Sequence, residues 1–515
     1  MKSAGWLPLL GLLLLTFFQR GAVYSAPRID LFGIYGGGTN ADADAVVAGE
    51  ERARINVALD LREGPVMPLI DYQYANYCGG SLVVSLLLVP VIEVFGPTVW
   101  ALRFFALTLN LVALVCLFAV LDRWVSRRAA IFGGLLWALA TPGLLINTMV
   151  VWGTHVESNV LALGTLWLFL SIHASPERRT AKRWWLGVMQ GLNFYIGYQT
   201  VLAIAMLGFF DLFPKRFPKP KEWLAQIVGL LIGASPWLWY NLRNDFSGLR
   251  IYEHQGSENL AAEGAFSKWT GLFGSDLPTG QWFQKSFPAW GATFDGIYVV
   301  VLLGAALLGM LWWRRRSPQG DSQVPSPGHL AGIYLLGFCA MYAFTRFGVT
   351  PHEDVFGYRY PLIAMPWLIL AAGVGFDRLA SWGTVPRALA WVLSLGLAGV
   401  SLAAIPGLTR AERFGVERTV EVQNLPSHTL WMFASYRQFP ERYPALIRSL
   451  RAHRTPEEFE TMMRSLGRAV QWLGADQPGF QGPQLEFAAQ LRRMREILLQ
   501  ELPPEMHAWF PEPGS

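Results

Sequence analysis

A chain of 515 residues with 52% hydrophobic and 15% charged residues is too apolar and too poor in charge for an ordinary soluble enzyme. It reads instead as a polytopic membrane protein. The formal net charge of +5 does not point to nucleic acid, because the basic residues stand in short clusters between apolar runs, as in cytoplasmic membrane loops. Cys78, Cys116 and Cys339 are too scattered for a disulfide framework or a zinc site.

The N-terminus, "MKSAGWLPLLGLLLLTFF", has one basic residue and a Leu-rich core, the outline of a signal peptide. No clear small-x-small cleavage site precedes Pro27 and many apolar runs follow, so the stretch is expected to stay as an uncleaved first span that starts in the cytoplasm. Further runs long enough to cross about 30 Å of hydrocarbon occur at 101–121, 129–151, 157–174, 223–242, 293–313, 329–345, 360–379 and 388–405. The run 184–213 is too long for one crossing and is interrupted at Asn193 and Gln199, so it divides into two short spans. With the first span at 6–24, the total is about 11 crossings.

Basic clusters orient these spans. Arg123, Arg127 and Arg128, then Arg178, Arg179, Lys182 and Arg183, then Lys215, Arg216, Lys219 and Lys221, then Arg314 to Arg316, and finally Arg378 with Arg387 share one side if the first span runs outward. A full span at "GGSLVVSLLLVPVIEVF" would move Arg127 and Arg128 to the other side, so 79–95 is expected to lie along the outer interface. What remains outside is a large first loop at 25–100, a loop at 243–292, a short loop around "FGVTPHEDVFGYRY", and a tail at 407–515. In the tail, "PEEFETMMRSLGRAVQWLG" and "EFAAQLRRMREILLQEL" have helical periodicity and alternating charge, which predicts a small extracytoplasmic helical domain.

The order of one span, an acidic outer loop, the interfacial stretch "YCGGSLVVSLLLVPVIEVFGPTVWALR" and, later, "GYRYPLIAMPWL" resembles the membrane glycosyltransferases of the GT-C superfamily. The likeness is to the bacterial branch related to protein O-mannosyltransferases and aminoarabinose transferases, and it covers 1–406. It implies an all-α bundle with a GT-C-like transmembrane domain at 1–406. It also implies a transferase that takes a sugar from a polyprenyl-phosphate donor and passes it to a lipid, glycan or protein acceptor at the outer face of the bacterial inner membrane. The tail at 407–515 matches no such pattern.

Within that resemblance, an acidic pair early in the first outer loop is followed by a helix and a Gly about fourteen residues on. Glu50 stands 14 positions before Gly64 and Glu51 stands 13, so the spacing marks Glu50 and Glu51 as the candidate catalytic carboxylates, with Glu where relatives have Asp at the first position. Ile55, Ala58 and Leu61 follow at helical steps, which would lay one face on the membrane. Asp42-Ala-Asp44 is the runner-up; "GGGTNADADA" equally has the make-up of a turn or helix cap.

In "VVWGTHVESNV", His155 and Glu157 sit at the outer end of a membrane hairpin, where an ionisable group needs a cavity or a partner. The resemblance implies that Glu157 lines the active site; His155 is expected to orient a neighbour or cap a helix. Arg359 in "GYRYPL" is the candidate anchor for the donor phosphate and Arg103 a second one, against the plainer reading of interfacial snorkelling. In "PWLWYNLRNDF", Tyr240 and Asn241 are candidates for the substrate cavity, although such aromatics commonly form the interface belt. His352, Glu353 and Asp354 are adjacent and are read as loop surface; no metal site is assigned, and a divalent metal is left open. Competing readings are a transporter or flippase, against which no internal repeat is found, and an inactive GT-C-like scaffold.

Overall fold

The computed structural model describes residues 6–25, 49–63, 81–96, 98–175, 177–212, 218–243, 265–311, 325–344, 361–410 and 484–510, with isolated positions between them. The elements in chain order are α1 (Leu7–Ser25), α2 (Gly49–Glu63), α3 (Ser81–Phe95), α4 (Val99–Trp124), α5 (Arg127–Ala138), α6 (Pro142–Met149), α7 (Val156–Ala174), α8 (Arg179–Ile196), α9 (Val201–Asp211), α10 (Pro220–Gly233) and α11 (Ser235–Arg243). Then come α12 (Ala265–Gly271), a π-turn (Leu272–Asp276), α13 (Leu277–Thr279), α14 (Phe283–Ser286), α15 (Gly291–Leu311), α16 (Pro327–Phe344), α17 (Met365–Ala380), α18 (Thr384–Arg410) and α19 (Gln484–Glu501). The protein is an all-α integral membrane protein, as its composition requires.

Among the described residues, 6 helices are long and apolar enough to cross a membrane, or 7 if the bent pair α5 and α6 is one span. The remaining predicted crossings fall on shorter or broken elements. The run 184–213 breaks at Gly197, where a short 3₁₀ turn (Tyr198–Thr200) separates α8 from α9, close to the interruption expected at Gln199. The run 223–242 is divided between α10 and α11. At 15 residues, α3 extends about 22 Å, less than the hydrocarbon thickness, in keeping with an interfacial helix.

Contacts divide the chain into two units. The first comprises 1–46, 103–235 and 260–418, and the second 47–102, 236–259 and 419–515. In the first unit α17 is the central helix. Every residue from Met365 to Phe376 is buried, and α5, α15, α16 and α18 all pack on it. A helix that is apolar on all sides belongs in such a place. At its far end Asp377 meets Arg128 at 2.8 Å, which joins the start of α5 to the end of α17, two loops that the basic clusters assign to one side.

In this unit α8 and α10 pack backbone to backbone through two small-residue motifs. A Cβ on Gly187 would lie 2.0 Å from the Gln226 carbonyl, and one on Gly191 would lie 2.1 Å from that of Leu230. Reciprocally, a Cβ on Gly229 or Gly233 would lie 2.2 Å from the carbonyl of Trp184 or Val188. Both pairs have the Gly-x-x-x-Gly spacing, which lets helix backbones touch where lipid supplies no hydrophobic drive for association. The same interface carries a buried polar network. Arg183 makes two hydrogen bonds to the Asp211 carboxylate, one of them 2.8 Å from Nη2 to Oδ1. His173 Nε2 meets Asp211 Oδ1 at 3.0 Å. Arg183 Nη1 also donates to Gln226 Oε1, and Gln226 Nε2 donates to Gln190 Oε1, each at 2.9 Å.

In the second unit α2 and α3 pack together, and their contacts show a shared direction. Ser85 Oγ donates to the Arg54 carbonyl at 2.9 Å, and Arg62 meets Glu93 at 3.9 Å, so both partners advance by eight residues. In the tail Ile447, Phe459, Met463, Met494, Leu498 and Phe510 are buried, and its helix α19 falls where periodicity predicts one.

Two outcomes follow for stability. Gly191→Leu forces α8 off α10 and lowers the thermal midpoint of the purified protein by several degrees, whereas Gly304→Leu, with nothing within 4 Å of its Cβ, leaves it within about 1 °C. Asp211→Ala strands the buried Arg183 and costs about 3–5 kcal/mol in denaturant unfolding, and the double variant with Arg183→Leu recovers a large part of that loss.

Candidate active site

The first unit holds Arg103, His155 and Glu157 around the bent pair α5 and α6, whose axes diverge by 77°. Thr141 caps α6, its hydroxyl accepting from the Leu144 amide at 3.4 Å, and Pro142 follows at the first helical position, where no amide is needed. After Met149 the chain is extended at Val150, and Gly153 adopts a φ of +78°, a conformation that suits glycine and turns the chain into α7. Glu157, in the first turn of α7, is buried, and its Oε1 accepts the Gly153 amide at 2.9 Å. A carboxylate is electrostatically favoured at that helix end. His155 is the residue just before α7; its ring makes no capping hydrogen bond and meets the Trp152 ring edge-on at 5.9 Å.

Arg103, on α4, is buried with 2% of its surface exposed, and its Nη1 donates to the Met149 carbonyl at 2.7 Å. The structure therefore places Arg103 and Glu157 on the two ends of one short stretch, 149–157. Arg103 supports the backbone there, in addition to any contact its charge makes.

The second unit holds Glu51, Tyr240 and Asn241. Glu51 is buried on α2, as are Arg54, Ile55 and Ala58, so the inward stripe at i, i+3, i+4 and i+7 is half charged and half apolar. Ile55 and Ala58, expected to face the membrane, are instead covered by protein, with Leu61 partly exposed, and Glu51 shares their stripe. Asn241 is fully buried and its Nδ2 donates to the Trp237 carbonyl one turn back, a bond local to α11; Tyr240 is buried beside it. The side chain of Glu50 lies outside the described residues, as do Asp42, Asp44 and Arg359 in full.

Four buried charged residues were missed by the sequence reading. Arg54 stands one turn after Glu51, at a spacing that the helical pattern would have revealed. Asp211, in "GFFDLF", is an ionisable residue at the end of an apolar run, the usual mark of a paired intramembrane charge. Lys268 and Asp276 are both buried on the α12 and π-turn segment, where Asp276 accepts a 2.7 Å hydrogen bond from Tyr342, and nothing in a loop sequence signals such a pair. Just after α13 the chain meets α6, where the Gly143 amide donates to the Gln281 carbonyl at 3.1 Å. Among the described residues no group of three or more His, Cys, Asp or Glu is placed to hold a metal.

Residues 80–240 match the family model described as dolichyl-phosphate-mannose-protein mannosyltransferase, a membrane glycosyltransferase family. The matched stretch runs from α3 to α11 and includes Arg103, His155 and Glu157. This bears out the GT-C resemblance over those residues. A comparison with curated proteins finds no match. Among solved structures, ArnT from Cupriavidus metallidurans bound to undecaprenyl phosphate is similar at 14% identity and a TM-score of 0.46, covering 98% of this chain and 89% of that one. The oligosaccharyltransferase of Archaeoglobus fulgidus in complex with zinc and sulfate is similar at 13% identity and a TM-score of 0.42, covering 78% and 53%. The AglB oligosaccharyltransferase of the same organism, in complex with an inhibitory peptide and a dolichol-phosphate, is similar at 12% identity and a TM-score of 0.43, covering 100% and 60%. These are weak likenesses.

The turn at Gly153 gives a test of the local geometry. Gly153→Ala forces a side chain into positive φ and costs about 1 kcal/mol, read as a lower thermal midpoint. Glu157→Gln keeps an oxygen for the Gly153 amide and shifts the midpoint by no more than about 2 °C.

Proposed function

With residues 80–240 matched to a mannosyltransferase family, we propose that the chain transfers a sugar from a polyprenyl-phosphate donor to an acceptor at the outer face of a bacterial inner membrane. The family match is the single observation that carries this reading. It is supported by an apolar, all-α chain and by charged side chains buried next to membrane-spanning helices, where ionisable groups are costly unless they serve a site or a partner.

In this reading a carboxylate takes the proton of the acceptor hydroxyl while a cation holds the phosphate as it leaves. Glu51 or Glu50 is the candidate base, Glu157 a further candidate carboxylate of the active site, and Arg359 the candidate grip on the phosphate through its planar guanidinium. Arg103 braces the stretch that leads to Glu157 through the Met149 carbonyl and is the second candidate phosphate contact. A single displacement by an activated acceptor inverts the anomeric carbon. The segment 407–515 is an extracytoplasmic helical domain.

The test uses membranes containing the protein and a panel of labelled undecaprenyl- and dolichyl-phosphate sugars, among them mannose, glucose and a pentose. Wild type releases label from at least one donor. Glu51→Gln and Glu157→Gln each reduce release by about 10²-fold or more, while Asp44→Asn stays within about twofold. Absence of turnover with every donor removes the transferase reading, and full activity in both Glu50→Gln and Glu51→Gln removes the choice of base.

A further inference from the structure

The break between α5 and α6 frees backbone carbonyls inside the membrane, where water cannot satisfy them. Side chains from α1 and α4 reach them one by one. Gln19 Nε2 donates to the Ala140 carbonyl at 2.9 Å, and its Oε1 accepts the Ala140 amide at 3.1 Å, so one side-chain amide pairs with a whole peptide unit. Arg20 Nη1 donates to the Ala138 carbonyl at 3.4 Å and Nη2 to Asn110 Oδ1 at 3.2 Å. Asn110 Nδ2 donates in turn to the carbonyls of Thr148 at 2.7 Å and Ala106 at 2.8 Å. Trp137 Nε1 closes the set by donating to the Asn110 carbonyl at 3.1 Å. Gln19, Arg20 and Asn110 are all at most 2% exposed.

We propose that Gln19, Arg20 and Asn110 are positioning residues that set the place of the Gly153–Glu157 turn by holding both ends of the broken helix. Gln19 and Arg20 fasten the end of α5, and Asn110 links Arg20 to Thr148 at the end of α6. From Thr148 only a short extended stretch leads to Gly153, whose amide bonds Glu157. α6 is 8 residues long; its beginning is held through Ala138 and Ala140 and by the Gly143 amide on the Gln281 carbonyl, and its end through Thr148 and by Arg103 on Met149, so loss of Gln19 or Asn110 loosens one end without freeing it. None of the three side chains touches the turn itself. The proposal rests on the transferase reading only in taking Glu157 as a residue of the site.

Hydrogen exchange and kinetics on the purified full chain test it together. Gln19→Leu and Asn110→Leu raise amide exchange over 147–157 by about tenfold or more and leave α15 and α17 unchanged. With whichever labelled polyprenyl-phosphate sugar the wild type turns over, both variants lower kcat by about tenfold or more and keep KM for that donor within about twofold. Gln19→Glu, which keeps an acceptor for the Ala140 amide, falls between wild type and Gln19→Leu in both measures. If the leucine variants fail to fold, Gln19→Glu and Asn110→Asp are read in the same way, since each replaces the donating amide nitrogen by an oxygen at nearly constant volume. Unchanged exchange over 147–157, a rise shared equally by α15 and α17, or unaltered kcat overturns the proposal. A wild type inactive on every donor ends the transferase reading, and the exchange measurement then decides the positioning claim alone.

Discussion

A bilayer offers no water to an unpaired carbonyl, and that constraint governs the part of this molecule that carries its candidate chemistry. A straight span satisfies itself. The bent pair α5 and α6 does not, because its 77° turn removes the partners of the peptide groups around Ala138–Ala140 and at the end of α6. The remedy is written in polar residues on other helices: Gln19 and Arg20 near the end of α1, Asn110 and Arg103 on α4. Residues that look misplaced in apolar helices are the ones that make an irregular backbone tolerable. The irregular backbone in turn brings Gly153 and Glu157 to a buried turn that a continuous helix would not form.

The same constraint shapes how the helices associate. Lipid tails are as apolar as leucine, so helices gain little from burying leucine against leucine and must gain from close contact and polar bonds. α8 and α10 use both means, with four glycines that let backbones meet and a network from His173 through Asp211 and Arg183 to Gln190. Asp211 is held by His173 from α7 and by Arg183 from α8, and its buried charge is compensated chiefly by the Arg183 guanidinium, which ties α7, α8 and α9 to one arrangement at that end.

Against this scaffold the candidate chemistry divides between two charged places. Around α6 and α7 a carboxylate sits at a helix start and a guanidinium braces the stretch that leads to it. On α2 a carboxylate and a guanidinium stand one turn apart on the inward stripe. Both hold an acid and a cation away from water, where electrostatic effects are large. Burying Glu51 and Arg54 in a helix of otherwise ordinary composition is costly, and a site that uses their charge is a physical reason to bear that cost.

By itself the amino-acid sequence determined that this is a helical membrane protein, where its long apolar helices lie, that a full span at 79–95 would set Arg127 and Arg128 on the wrong side, and that Glu157 stands at the start of a helix. These properties depend on local periodicity, on the ratio of apolar length to membrane thickness and on the spacing of basic clusters, all of which a linear pattern contains. Tertiary structure alone decided that 129–151 is a bent pair, that Glu51 shares its stripe with Arg54, and that Asp211, Arg183 and His173 form one network. Tertiary structure likewise decided that Gln19, Arg20 and Asn110 serve a single segment more than 25 residues away from the nearest of them in the chain. Each of these depends on which residues meet across helices, and hydrogen-bond partners so far apart leave no trace in spacing.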